Sequence, residues 1–395
     1  MWIVSIQAAL YLTWLLVSDG PLFLNFLRPK GHLPLHSVEM LDYNELTKGH
    51  DYSVEIERAF GPNGLGILTV SNVPRLEELR AALLPLARKI SLLSDNARSK
   101  LEVPDSFYSS GWSHGKERLQ GKPDNAKGSF YANPLYDSIT EDKDLIKKYP
   151  GFAYPNVWPK KDLPALEPAF KALGTLVIVV GRLVANQSDN YVKRQRPTYD
   201  GSTLSRTVAD SVCVKARLLH YFAHSGSTLP KAEEESEEDS FSNWCGWHND
   251  HGSLTGLVSG MFLDAEGNQV PNQDPKAGLY IRSRNSELIK VNIPPNNLAF
   301  QIGEASQLQS GGAIQATPHA VRGSNVPDVS RESFAVFMEP CWDDKMDVPP
   351  GVTIEAAQSQ SAAANLPKGV PSLRSRWEMG MTFGEFADRT LKSYY

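Results

Sequence analysis

A mainly β chain with flanking α-helices is the fold class this sequence predicts, and three observations predict it. From residue 212 onward, short β-favouring runs alternate with turns at 212–222, 254–262, 278–282, 288–291, 298–302 and 333–338. That spacing is typical of a barrel or a jelly roll. Ahead of them, Leu76, Leu79, Leu83, Leu86, Ile90 and Leu93 recur every three or four residues, the period of an amphipathic helix. Finally, 29 glycines and 27 prolines among 395 residues favour frequent turns over a long helical bundle.

In chain order, residues 2–17 are almost wholly apolar, interrupted only by Ser5, Gln7 and Thr13, with no Lys or Arg before them. The run suits a signal-peptide core but is shorter than the roughly 18–20 residues of a comfortable membrane span. Three readings stay open: a non-native start or packed helix, a signal or anchor, and a transit peptide, the last disfavoured by scarce Arg and Ser. Residues 33–43 read as extended, 51–60 as a short helix, Gly61-Pro62-Asn63-Gly64 as a turn and 66–70 as a strand. Pro85 is expected to kink the helix that follows. Residues 100–160, rich in Gly, Pro, Ser and Asn, read as long loops. A helix over 164–185 is apolar nearly all round, hence buried against a sheet, and Glu167, Lys171 and Arg182 argue against a membrane span. The acidic run 231–239 reads as a solvated loop. The organisation expected is one large domain: a non-core leader (1–35), a helical and loop-rich N-terminal region (36–205), a strand-rich core (206–345) and a C-terminal closing segment (346–395).

Composition narrows the function. Forty Lys and Arg against forty-five Asp and Glu leave a net charge of −5, so no basic surplus exists for a nucleic-acid backbone. With 41% hydrophobic and 22% charged residues, wholesale disorder is excluded. Cys213, Cys245 and Cys341 are too few and too scattered for a disulfide framework. A reducing compartment, the cytoplasm, fits best, with the leader leaving a signal, an anchor or organelle targeting open.

The chemistry-bearing stretch is Trp247-His248-Asn249-Asp250-His251-Gly252. On a strand, His248 and Asp250 project to one face and can share a cation, while His251 projects to the other. With nine histidines in the chain, one H-x-D is weak evidence alone. A third ligand from a distant strand, His319, would complete a set of two histidines and one carboxylate, which suits Fe(II) and leaves coordination positions open. Twelve residues later Arg331 and Ser333 share a strand face, and a guanidinium beside a hydroxyl makes a carboxylate receptor. Other candidates are weaker. His220 and His224 flank Tyr221 and read as structural. Cys245 and His248 lack the second pair of a zinc site. His114 and Tyr131 lie where a substrate pocket would be bordered, and Gly64-x-Gly66 lacks the rest of a dinucleotide fingerprint.

With these residues in this order, the sequence resembles the Fe(II)/2-oxoglutarate-dependent dioxygenases of the isopenicillin-N-synthase-like superfamily over roughly residues 35–395. Further matching segments are 59–74, 111–134, RLLHYF at 217–222, Gly278-Leu279-Tyr280-Ile281 and 294–303. The resemblance implies a double-stranded β-helix (jelly-roll) core supported by N-terminal helices. It implies Fe(II) on His248, Asp250 and His319, and the distal carboxylate of 2-oxoglutarate on Arg331 and Ser333, with Tyr221 assisting. The cofactors implied are Fe(II), 2-oxoglutarate as cosubstrate and O2, with ascorbate a candidate reductant. The activity implied is hydroxylation or desaturation of a small organic molecule by a monomer, with release of succinate and CO2 and no membrane partner except through residues 2–17. The sequence departs from the pattern at Leu219, where Asn is usual, and in the 69 positions between Asp250 and His319, whose excess falls in 264–276. A same-fold iron oxidase that does not use 2-oxoglutarate and a catalytically silent jelly-roll binding protein are the rival readings.

Overall fold

The structure, a computed structural model, describes residues 38–116, 118–119, 122–223, 245–358, 366–367 and 369–394. The apolar leader, His224 and the acidic run 231–239 lie outside the described residues. By its internal contacts the chain divides into Met1–Leu35 and His36–Tyr395; the second unit is described here.

Its strands are β1 (Glu39–Asp42), β2 (Ile67–Ser71), β3 (Gly111–His114), β4 (Arg118–Leu119), β5 (Lys122–Pro123), β6 (Lys127–Ala132), β7 (Lys215–Tyr221) and β8 (Cys245–His248). They continue with β9 (Leu254–Val258), β10 (Met261–Leu263), β11 (Gln269–Val270), β12 (Gly278–Arg282), β13 (Leu288–Val291), β14 (Leu298–Ile302), β15 (His319–Arg322) and β16 (Ser330–Met338). The larger sheet runs β1-β2-β14-β9-β16-β7-β6-β3, with β10 attached to β16 and β11 to β10, and the smaller one runs β13-β12-β15-β8.

Strand alternation sends successive side chains to opposite faces. On the outer face of the larger sheet, Leu218, Phe300, Phe334, Val336 and Met338 join a core shared with the helices Leu76–Ser91 and Leu166–Gln195. On the inner face, Ile67, Leu219, Tyr221 and Ala299 meet Leu279, Ile281, Val291 and Val321 of the smaller sheet. The two sheets therefore face one another across a second apolar cluster, and the site opens in that interior.

The long helix Leu166–Gln195 extends ten residues beyond the expected 185. By length and composition it could cross a membrane. Its Phe170, Leu173, Val177, Val180 and Val184 are instead wholly buried in the shared core. It settles close to the sheet through glycines: a Cβ at Gly181 would lie 2.7 Å from Met338 Sδ. Pro85 sits inside Leu76–Ser91 without ending that helix.

The segment 100–160 differs from expectation. It holds β3 and β6, which extend the larger sheet beyond β7. The alternation was present in 127–132, where Phe130 and Ala132 face the helix core, but Gly128 reads as a turn residue. Its purpose is steric, because the Trp112 ring lies where a Cβ would stand.

Candidate active site

β8 and β15 run antiparallel with His248 directly opposite His319, so pairing alone brings together two histidines 71 positions apart. Their ring centroids are 4.3 Å apart. β8 ends at His248, so strand alternation is not what delivers Asp250, as the sequence had led one to expect. The following turn does so. It is pinned by the Asp250 carbonyl, which accepts from Glu304 N at 2.8 Å, and by Gly303, whose missing Cβ lets the Gly252 carbonyl close on it. Asp250 Oδ1 then lies 3.8 Å from Nε2 of each histidine. One ligand atom from each residue falls within 4.8 Å of the others, and among the described residues no other trio of His, Cys, Asp or Glu does so.

Each member has its other polar atom tied. His248 Nδ1 donates to the Gly246 carbonyl at 2.8 Å and His319 Nδ1 to the Thr317 carbonyl at 3.3 Å. Thr255 Oγ1 donates to Asp250 Oδ2 at 2.6 Å. These bonds fix both rings and the carboxylate and leave Nε2, Nε2 and Oδ1 facing one point, where they could share a metal ion. Burial, then the charge of His248, pushes His319 down to about 4, so its lone pair is available at neutral pH. Burial works against ionised Asp250, but His319, His248 and the Thr255 hydrogen bond together hold it below the usual carboxylate value. Burial also works against protonated His248, yet Cys245 and Asp250 raise it to about 9, so a cation must displace a proton there. Cys245 Sγ is 3.8 Å from Nδ1 of His248, on the ring edge away from the trio. His251 is turned aside, 3.8 Å from Glu339 and stacked on Phe383.

A second group lies on the inner face of β16 and β7. Arg331 pairs in register with Tyr221, and Ser333 with Leu219. The Arg331 guanidinium sits 5.2 Å above the Tyr221 ring. Its Nη1 is buried with no hydrogen-bond partner among the described residues, a costly state for a charged donor and one that a ligand carboxylate would relieve. A Cβ at Gly260 would lie 2.6 Å from Arg331 Nε, so the side chain rests on bare backbone. Arg80, on the buried face of helix Leu76–Ser91, holds that backbone by donating to the Ser259 and Gly260 carbonyls, both at 2.8 Å. Sequence reasoning missed Arg80 and Gly260; the one available signal was an arginine on the apolar face of a helix.

Farther along the same face, Arg217 donates through Nε and Nη2 to Ser129 Oγ at 3.0 and 2.8 Å and lies 4.9 Å above the Tyr131 ring. Tyr131 thus borders the interior. His114 instead bonds the Asn125 carbonyl at 3.1 Å and packs on Phe222. His220 faces the opposite side of the sheet, as alternation requires.

No family model and no curated protein matches the chain by sequence. Solved structures do match. A full-length Neurospora crassa protein in complex with alpha-KG superposes with a TM-score of 0.62 at 18% identity, covering 92% of this chain and 98% of that one. A 2OG-Fe(II) oxygenase family protein from Caulobacter crescentus gives 0.61 at 17% identity over 91% and 99%. JOX2 in complex with 2OG, Fe and JA gives 0.55 at 16% over 92% and 88%. Mixed sheets with helices packed on one of them, and a His-Asp-His trio in their interior, give this chain the fold of the 2OG-Fe(II) oxygenases.

Proposed function

We propose that this chain is an Fe(II)- and 2-oxoglutarate-dependent dioxygenase that hydroxylates or desaturates a small organic molecule. Its core would be a double-stranded β-helix over roughly 206–345, closed by 346–395. The observation that carries the reading is the convergence of His248, Asp250 and His319 within 4.8 Å, each oriented by a separate hydrogen bond. Two imidazoles and one carboxylate are a donor set that suits ferrous iron and leaves positions open for other ligands. When bound, iron and 2-oxoglutarate supply the oxidising chemistry, in which O2 is consumed, succinate and CO2 are released and a substrate C–H bond is oxidised.

The chain's own residues bind, orient and exclude water. His319 offers a neutral Nε2, His248 offers its Nε2 once the proton there is displaced, and Asp250 offers Oδ1. Arg331 and Ser333 take the distal carboxylate of 2-oxoglutarate, with Tyr221 flanking the guanidinium, and the orphaned Nη1 of Arg331 supports that role. Leu219, Leu279, Ile281 and Val291 wall the interior with apolar surface, which strengthens every polar contact inside. Small substrates fit the company this fold keeps: one structure of the Neurospora crassa protein holds thymine and that of JOX2 holds JA. Monomeric action in a reducing compartment is part of the same reading, and the three cysteines are free thiols.

The test is anaerobic reconstitution with Fe(II) and 2-oxoglutarate, followed by oxygen and a metabolite library, scoring substrate-dependent succinate. The reading expects one Fe(II) per chain and measurable 2-oxoglutarate binding. A protein that takes up neither defeats it. Turnover without 2-oxoglutarate would favour the oxidase rival, and iron-free binding of a small molecule the silent one.

A further inference from the structure

Between Arg331 and Ser333 stands Glu332, whose side chain points to the outer face of the sheet and is wholly buried. In register it lies directly opposite His220 of β7, between the pairs Arg331–Tyr221 and Ser333–Leu219. His220 Nδ1 is 2.9 Å from both carboxylate oxygens, and Ser330 Oγ donates to Oε1 at 2.9 Å. Around them that face is apolar, with Leu218, Phe334 and Val336. Burying a carboxylate and an imidazole there costs free energy that a pair of leucines would not, so stability alone is a poor account of the pair.

The register supplies a better one. A slip of one residue between β16 and β7 would turn Glu332 into the interior and Arg331 into the helix core, since the side-chain period is two. Only one register joins Glu332 to His220, and that same register presents Arg331, Tyr221 and Ser333 to the interior. We propose that His220 and Glu332 form a positioning pair for the 2-oxoglutarate receptor, fixing β7 and β16 from behind so that the Arg331 guanidinium meets the ligand carboxylate. The proposal rests on the 2-oxoglutarate reading above.

The titratable and charged groups that face Glu332 are His220 from β7 and Arg88 from helix Leu76–Ser91. At the same level β10 presents Met261 and β6 presents Gly128, neither of which titrates. Burial raises the Glu332 carboxyl above its ordinary value, with His220 and Ser330 opposing. The charged carboxylate, the stronger acceptor, is therefore present at higher pH and gives way to a neutral carboxyl as pH falls through that raised value.

The test measures 2-oxoglutarate binding to the full-length Fe(II)-loaded protein by anaerobic calorimetry across pH, alongside Fe(II) uptake and circular dichroism. Glu332→Gln should keep its iron and its fold and bind 2-oxoglutarate about tenfold more weakly than wild type at high pH. That ratio should shrink toward one as pH falls. The double variant His220→Leu/Glu332→Leu, which leaves no lone buried charge, should fold and show the same weakening. It decides the matter if Glu332→Gln fails to fold. A folded double variant with wild-type affinity at every pH overturns the proposal while leaving the 2-oxoglutarate reading intact. A wild type that loads iron but binds no 2-oxoglutarate overturns both.

Discussion

The two ends of the interior, the trio proposed to hold the metal and the Arg331 end proposed to receive a carboxylate, are built on opposite plans. At the metal end every residue is finished: each of His248, Asp250 and His319 spends one polar atom on a fixed partner and aims the other at a common point. At the other end Arg331 is supported by Gly260 and Tyr221 but keeps a buried Nη1 with no partner among the described residues. The first plan would pre-orient ligands for an ion, whereas the second would leave a donor to be satisfied by what binds. The difference teaches that geometry at one end and unmet hydrogen-bonding capacity at the other carry the two halves of the functional reading.

The comparison can be broken by treating the ends separately. The largest effect is expected from His248→Ala or Asp250→Ala, which should abolish Fe(II) uptake and succinate formation while circular dichroism stays near wild type. Unchanged succinate release would show that the trio is not the metal centre. Arg331→Ala should retain iron but weaken 2-oxoglutarate binding about 100-fold by calorimetry. Equal loss of both ligands would mean that the two ends are not independent.

Smaller changes sharpen the contrast. Thr255→Val removes the hydrogen bond that directs Asp250 and should weaken Fe(II) about tenfold in a chelator competition, with little change in 2-oxoglutarate affinity once iron is saturating. The trio should also be pH-sensitive in its own right. His248 is raised to about 9, so below that value a proton competes with the cation. Apparent Fe(II) affinity should then improve about tenfold per pH unit as pH rises toward 9, and a flat profile in anaerobic titrations would contradict it. The least effect is expected from Gly260→Ala, whose methyl would crowd Arg331 Nε; several-fold weaker 2-oxoglutarate binding with unchanged iron is the outcome to look for.

Much of this architecture is legible in the sequence. The runs from 278 to 302 became β12, β13 and β14, and the run 254–262 became β9 and β10 with a break at 259–260, because β-favouring residues and flanking turns are local signals. The last run was recognised from 333, whereas β16 begins at Ser330, so Arg331 and Glu332 lie within the strand. The strands β3 and β6 were hidden by glycine, serine and asparagine whose reasons are nonlocal, such as the Trp112 ring that occupies the space over Gly128. Arg80 was invisible for the same cause, since its partners Ser259 and Gly260 lie about 180 positions away.

Side-chain type and spacing by themselves determined which residues could bind a metal and a carboxylate, because the donor chemistry of His, Asp, Arg and Ser is a property of each residue. Pairing across strands decided the rest. Opposing His248 to His319, swinging Asp250 round a turn past the end of β8, and seating Glu332 on His220 all depend on register. Register is a relation between distant segments, settled by which faces can be buried together, and no local stretch of chain contains it.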